Sequence, residues 1–320
     1  MKAIRVNTTG APEVMHIEEI PDPVPEREQV LIKVYAAGVN PVETYIRAGG
    51  QGYSAAVPYT PGMDAAGVVE SVGADVTKFK PGDRVYTAGT LTGSYAEKTL
   101  CLQSRVFHLP DQLTFSQGAA LGVPYSTAYR ALFHRAQART GEFVMIHGAS
   151  GGVGLAALQL AAAAGMKVIA TAGTHRGKAL VEKYGAALVI DHNDPDHFTQ
   201  ALEFTGGKGV DVILEMLANV NLGNDIQILA KHGRVVVIGS RGNVEITPRF
   251  LMGKDADIRG MTLMNVLPDE MDEIQQGIAE GVIKGSLSPV IGLELPLEKA
   301  PEAHHLVIEE KAYGKIILTT

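Results

Sequence analysis

From about residue 143 the chain repeats one pattern: a short, almost wholly apolar run followed by a stretch of helical character. The apolar runs are FVMIHG, KVIATAG, ALVIDH, VDVILEML, RVVVIGS and IRGMTLM, with helices expected near 153–164, 176–184, 195–204 and 221–231. A strand that is apolar on both faces needs cover on both, and alternating helices supply it, as in a parallel α/β sheet. Six such strands make a complete doubly wound unit.

The first 110 or so residues have another rhythm. KAIRVN, VMHIEEI, QVLIKVYAAGV, AGVVESVG, DRVYTAG and SYAEKTLCL are short, alternating and broken by Gly and Pro, which predicts a strand-rich, barrel-like first domain. IPDPVPERE, with three prolines in nine residues, reads as a surface connection. Beyond the six-strand unit come a helix around 269–281 and the tail PVIGLELPLEKAPEAHHLVIEEKAYGKIILTT, whose strand, helix and strand are expected to rejoin the first domain. At 320 residues the chain is comfortable for two domains, expected at 1–122 with 266–320 and at 123–265.

Composition narrows the function classes. A net charge of −7 works against the cationic surface that nucleic acid requires. No stretch approaches the roughly 18 to 20 apolar residues of a membrane span, and MKAIRVN reads as a strand rather than a signal-peptide core, so the expectation is a cytoplasmic protein. The single cysteine, Cys101, closes no intrachain disulfide and supplies no thiolate zinc cluster; it reads as a small, half-buried strand residue. Adjacent His304 and His305 lack the spacing of helical metal ligands and read as helix-surface residues.

HGASGGVG, residues 147–154, puts four glycines between the first apolar run and an alanine-rich helix. With Gly148, Gly151 and Gly154 between strand and helix, backbone N–H groups and the positive end of the helix dipole converge where a pyrophosphate would lie. Gly151 and Gly152 would let the diphosphate approach, and Gly154 would allow close packing of helix on strand. In dinucleotide folds an acidic residue about 20 positions further on binds the ribose 2′-hydroxyl. Here ATAGTHRGK has Ala172 and Gly173 at that place and Thr174, Arg176 and Lys178 just beyond, which suits a 2′-phosphate and predicts NADPH rather than NADH.

PGMDAAGVVESVGADV has the glycine framework of the medium-chain dehydrogenase/reductase superfamily, whose zinc members carry His-Glu after the first glycine. This chain has Met63 and Asp64 there, and Asn40 where those members place a Cys ligand after AAGV; methionine and asparagine are poor zinc ligands, so no metal is expected. GVNPVETYIRAG, PYTPGMDAAGVVE, GVPYSTAYRALFH, HGASGGVGLAA, EMLANVNL and VVIGSRGNVEITPR resemble the zinc-free quinone oxidoreductases, most closely the zeta-crystallin branch, over essentially the whole chain. The resemblance implies a GroES-like β-rich barrel domain joined to a Rossmann domain with a six-stranded parallel sheet. It also implies NADPH in the cleft between them, reduction of quinones or related conjugated carbonyls, and a homodimer or homotetramer.

Carried over position by position, the cofactor contacts fall on Tyr45, Ser150, Gly151, Gly152, Val153, Gly173, His192, Asn219, Ile238, Gly239, Ser240, Arg241, Met261, Thr262 and Leu263. Arg241 would offer a cation to phosphate, Asn219 and the turn backbone polar contacts to the nicotinamide-ribose end, and His192 would lie near the adenine. Asn40, Tyr45, Tyr53 and Thr127 are the candidates for lining the acceptor pocket, where hydroxyl or amide groups can bond a quinone oxygen as charge develops on it. The loop AGGQGYSAAVP departs from the zeta-crystallin pattern and bears on acceptor selectivity. Two alternatives remain open at this point. An NADPH-dependent 2-alkenal or enone reductase would need a proton donor for the substrate's α-carbon, and a non-enzymatic crystallin-like or RNA-binding role would need no turnover.

Overall fold

The computed structural model describes residues 1–50, 52–309 and 313–320. The chain divides into two compact units, Met1–Pro124 with Pro289–Thr320, and Tyr125–Ser288.

The second unit carries the six expected strands in one sheet. Its order is Leu188–Ile190, Lys167–Thr171, Phe143–Ile146, Val210–Glu215, Leu229–Val237 and Asp257–Gly260, every neighbouring pair parallel. The order reverses between the first strand and the fourth, as in a doubly wound sheet. Met145, Ile169, Ile190, Ile213 and Val235 make the core from the sheet side, with Ala201, Leu222 and Ile226 from the covering helices. The helices run Gly152–Ala163, His175–Lys183, His197–Phe204 and Ala218–Ile228, close to the expected spans.

In the first unit, Lys2–Val6 and Met15–Glu19 pair antiparallel. A seven-stranded sheet has the order Ile291–Pro296, Lys315–Thr319, Gln29–Val39, Asp64–Val72, Arg84–Thr87 and Val106–His108, with Lys98–Leu102 pairing Gln29–Val39 off this path. The tail strands therefore rejoin the first unit, as their sequence predicts. Ile4, Val34, Val39, Tyr95 and Leu318 form one apolar cluster, and Val30, Ile32, Val69 and Val85 another. Cys101 lies in the second cluster, fully buried rather than half-buried, and burial pushes its thiol pKa up.

The helix Pro268–Ile283 belongs to the second unit, not to the first as the boundary at 265/266 supposes. Its apolar stripe of Met271, Ile274, Ile278 and Val282 is buried. Polar bonds fix it there: Gln275 Nε2 donates to Ser126 Oγ at 2.7 Å, and the Arg130 guanidinium holds Glu270 at 3.0 Å. Amphipathic spacing shows that a helix has a buried face but not which sheet or helix it faces.

Candidate functional site

The glycine loop is held open by its backbone. Gly148 N–H donates to Thr171 Oγ1 at 3.1 Å and Ala149 N–H to the Thr171 carbonyl at 3.0 Å, tying the loop to the end of the second strand. Gly151 caps the helix Gly152–Ala163 with extended backbone and no side-chain bond, so the first helical N–H groups have no capping side chain. Gly154 is sterically required: a Cβ there would lie 2.5 Å from the Gly148 carbonyl oxygen and 2.6 Å from Ala149 Cα. This close packing is against the loop itself rather than against a strand. Ser150, Gly151, Gly152 and Val153 thus border a helix N-terminus fitted to an anion.

At the second strand's end, Gly173 approaches the loop after the third strand so closely that a Cβ would come within 2.4 Å of His192 Nε2. Asn193 Nδ2 donates to the Gly173 carbonyl at 3.3 Å. The structure therefore brings Gly173 and His192 together. Thr174 is engaged as the N-cap of His175–Lys183, its Oγ1 accepting from Gly177 N–H at 3.1 Å. Lys178 is half-exposed and ion-paired with Asp191 at 2.8 Å, a pairing that holds the Asp191 carboxyl down to about 2. Its charge is thus shared with Asp191 before any phosphate arrives, and Arg176 lies one helical turn or less away on the same helix.

A second loop pair assembles after the fourth and fifth strands. Ile238 and Gly239 N–H groups donate to the Glu215 carbonyl at 2.9 and 3.2 Å, and Ala218 N–H donates to the Gly239 carbonyl at 2.9 Å. Arg241 N–H donates to Asn219 Oδ1 at 2.8 Å, and Ser240 Oγ donates to the Gly242 carbonyl at 3.0 Å. Ile238, Gly239, Ser240 and Arg241 are thereby laced to Asn219. Met261 N–H donates to the Val237 carbonyl at 3.1 Å; Thr262 lies just past the last strand and caps the short turn Leu263–Asn265.

In the first unit the rings of Tyr45 and Tyr53 are 6.1 Å apart, both half-buried. Asn40 is only 3% exposed and its amide is engaged. Its Oδ1 accepts from the Lys315 ammonium, and its Nδ2 donates to Asp64 Oδ2 at 3.0 Å and Glu43 Oε1 at 3.2 Å. It is therefore a buried network residue rather than a donor free for an acceptor. A 540 Å³ pocket of this unit runs past Ile46, Tyr59, Met63 and Leu91, and Asn40, Tyr45 and Tyr53 are not among its lining residues. Thr127, on the helix Gly122–Tyr129, is buried in the second unit.

Two clusters escape the sequence reading. Under the glycine loop, His147 Nε2 bonds Asp225 Oδ1 and approaches Glu215 Oε2, all three side chains buried. Glu215 Oε1 also accepts from Leu217 N–H and from Asn221 Nδ2. Among the described residues this is the one metal-ligating type of group whose donor atoms lie within 4.8 Å of one another. Burial raises both carboxyls to about 7 and lowers the His147 imidazole. In the first unit, Glu43 Oε2 accepts from Tyr95 Oη at 2.7 Å, and Tyr95 Oη lies 3.2 Å from His304 Nε2. His304 is therefore buried, not on the surface, and burial drops its pKa to about 3; exposed His305 bonds Glu13 and Glu309 at 2.7 Å. For the first cluster the available signal was a titratable residue ending an apolar run, in FVMIH and VDVILE.

Zinc does not fit the positions matched to it. Asn40 already accepts from an ammonium, Met63 offers a thioether, and Cys101 is sealed in a strand core.

The chain matches two family profiles: "Alcohol dehydrogenase GroES-like domain" over residues 26–111 and "Zinc-binding dehydrogenase" over 152–280. It is 49% identical to a human quinone oxidoreductase over 320 residues, covering 99% of this chain and 97% of that protein. It is 51% identical to a mouse quinone oxidoreductase over 322 residues, with the same coverage. The Escherichia coli quinone oxidoreductase complexed with NADPH superposes with a TM-score of 0.92 at 28% identity, covering all of both chains. The first unit is thus GroES-like and the second Rossmann-like, and the chain belongs to the quinone oxidoreductase family of the medium-chain dehydrogenase/reductase superfamily.

Proposed function

We propose that this protein is an NADPH:quinone oxidoreductase that works without zinc. The observation that carries the reading is the glycine loop, whose uncapped helix N-terminus and tight Gly154 packing fit a diphosphate. The human and mouse relatives named quinone oxidoreductase and the NADPH-bound E. coli structure support the substrate and cofactor classes. NADPH, when bound, supplies the hydride that reduces a quinone.

The chain's own residues bind and orient. Ser150 to Val153 would hold the diphosphate, and Arg176 with Lys178 would hold the 2′-phosphate. Gly173 and His192 would border the adenosine end. Asn219, Ile238 to Arg241 and Met261 to Leu263 would offer backbone and amide contacts at the opposite end. Tyr45 and Tyr53, whose rings lie 6.1 Å apart, would offer an aromatic face to a flat acceptor and a hydroxyl donor as charge grows on its oxygen; Thr127 is a third hydroxyl candidate. Asn40 would position the helix Pro41–Ala48, which carries Tyr45. A hydroquinone anion can take its proton from water, so no dedicated acid is required.

The reading extends to a cytoplasmic homodimer, which analytical ultracentrifugation and fractionation test. Among the described residues no helix is long and apolar enough to cross a membrane.

The deciding experiment follows NADPH oxidation with 9,10-phenanthrenequinone and with a 2-alkenal, with and without a chelator. Quinone-dependent turnover that survives chelation is expected. Preference for the alkenal would make the protein an enone reductase, and loss of turnover on chelation would overturn the metal-free reading. NADPH binding without turnover on either acceptor would favour a binding role.

A further inference from the structure

The 540 Å³ pocket of the first unit contains none of the proposed cofactor or acceptor contacts, yet part of its lining neighbours them in the chain. Ile46 follows Tyr45, and Ser54 and Ala55 follow Tyr53 in the loop AGGQGYSAAVP. An acceptor held at the two tyrosines would border this space. Its size lies within the range of small-molecule sites, about 300–1,000 Å³. Met63 and Leu91 add apolar wall, and Leu91, a large apolar side chain, is left 51% exposed.

Three residues, Met1, Arg5 and Glu43, bring charge to the lining. The Met1 ammonium is paired with Asp22 at 3.0 Å and donates to the Ile20 carbonyl at 2.7 Å. Glu43 is already engaged: Tyr95 Oη donates to its Oε2 at 2.7 Å and Met63 N–H to its Oε1 at 2.9 Å. Arg5 differs from both. Its Nη1 donates at 3.3 Å to Thr60 Oγ1, a neutral partner that also lines the pocket, and no carboxylate pairs with the guanidinium among the described residues. An unpaired cation beside apolar surface favours a ligand that carries an anion and offers little to a neutral ring. The planar guanidinium fork also matches a carboxylate or sulfonate through two N–H groups. We propose that this pocket takes the acidic substituent of the acceptor, and that Arg5 makes planar quinones bearing a carboxylate or sulfonate the preferred class. The proposal rests on the quinone reductase reading for its acceptor, but affinity of the pocket for an aromatic anion needs no turnover, so the two can fail separately.

The test titrates the full chain calorimetrically with 2-naphthalenesulfonate, which is not a quinone, with NADP⁺ present to fill the proposed phosphate sites. In parallel, kcat/KM is measured with NADPH on 1,4-naphthoquinone-2-sulfonate and on 1,4-naphthoquinone, and the ratio of the two is compared between variants so that the acceptors' differing reducibility cancels. Arg5→Gln is expected to weaken 2-naphthalenesulfonate binding about fivefold to tenfold and to lower the ratio by a similar factor through KM. Arg5→Lys keeps the charge and is expected to retain most of both. Leu91→Asp, at an exposed position of the same lining, sets a negative charge there and is expected to weaken the sulfonate in the same way. No saturable binding by the unaltered protein, or binding and a ratio that Arg5→Gln leaves unchanged, overturns the proposal. If Arg5→Gln does not fold, Leu91→Asp decides by the same two measures. Arg5-dependent sulfonate binding without turnover of either quinone would defeat the quinone reductase reading and leave the pocket's anion preference standing.

Discussion

His147 Nε2 lies 2.8 Å from Asp225 Oδ1, which ties the residue leading into the glycine loop to the helix Ala218–Ile228 beneath it. Glu215, which anchors the turn at Leu217 and the side chain of Asn221, completes the trio with Oε2 at 3.4 Å from the same imidazole nitrogen. Two backbone segments of the proposed cofactor site therefore share one buried polar anchor.

The anchor gives stability a pH dependence of known sign. Burial raises Glu215 and Asp225 to about 7 from ordinary values of 4.5 and 3.8. The folded state then binds protons more strongly than the unfolded one, so this contribution is complete below the unfolded values and is lost as pH rises through about 7. Asp225→Asn keeps an oxygen for His147 but removes one titrating carboxyl, and His147 stays common to both proteins. The stability difference between the two is expected to shift in the variant's favour by up to about 1.4 kcal/mol per pH unit between about pH 5 and pH 7. Thermal unfolding across that range checks it; parallel curves would remove Asp225 from the titrating pair.

Gly154→Ala places a methyl group 2.5 Å from the Gly148 carbonyl oxygen. The loop backbone must move, with an expected loss of about 1–3 kcal/mol in stability. NADPH affinity should fall at least about tenfold, the equivalent of 1.4 kcal/mol. Fluorescence titration beside a thermal melt checks both, and unchanged affinity would take the diphosphate off this loop.

On the proposed reading, the ion pair of Lys178 with Asp191 would compete with a 2′-phosphate. Asp191→Asn releases the lysine and is expected to tighten NADPH binding while leaving NADH binding unchanged, whereas Arg176→Ala with Lys178→Ala narrows the preference between the two. Equal affinities of the unaltered protein for NADPH and NADH would defeat the reading of the loop GTHRGK.

Tyr45→Phe removes one hydroxyl and keeps the ring that faces Tyr53. If the hydroxyl bonds the acceptor oxygen as charge develops, kcat should fall about fivefold, corresponding to a hydrogen bond of about 1 kcal/mol, with cofactor affinity retained. Steady-state kinetics on a quinone checks it, and unaltered turnover would leave Tyr45 as packing alone.

The strands and helices of the second unit were legible because burial on both faces leaves an unbroken apolar signature, visible in FVMI and RVVVIG. The glycine loop was legible because its spacing serves backbone geometry. What escaped depends on tertiary partners. Pro268–Ile283 shows an apolar stripe but not that Tyr125–Ser288 receives it. His304 sits beside exposed His305, and only the fold aims one at Tyr95 and the other at Glu13. Lys315 opens an apolar strand, and Asn40 and Asp64, some 250 positions or more upstream, draw its ammonium inward. Asn40 likewise has a polar side chain whose commitment is set by a residue at the other end of the sequence.

The pairing of Lys315–Thr319 with Gln29–Val39 also sets an order of assembly. Everything the second unit needs is contiguous, whereas the first unit lacks an interior strand of its seven-stranded sheet until translation has passed through its neighbour. Although domains made earlier usually fold earlier, here the later-made unit can be finished first. The ribosome must then carry an unclosed sheet whose exposed Ala36–Val39 margin waits for its partner, and the emerging chain is most vulnerable to wrong strand pairing during that interval.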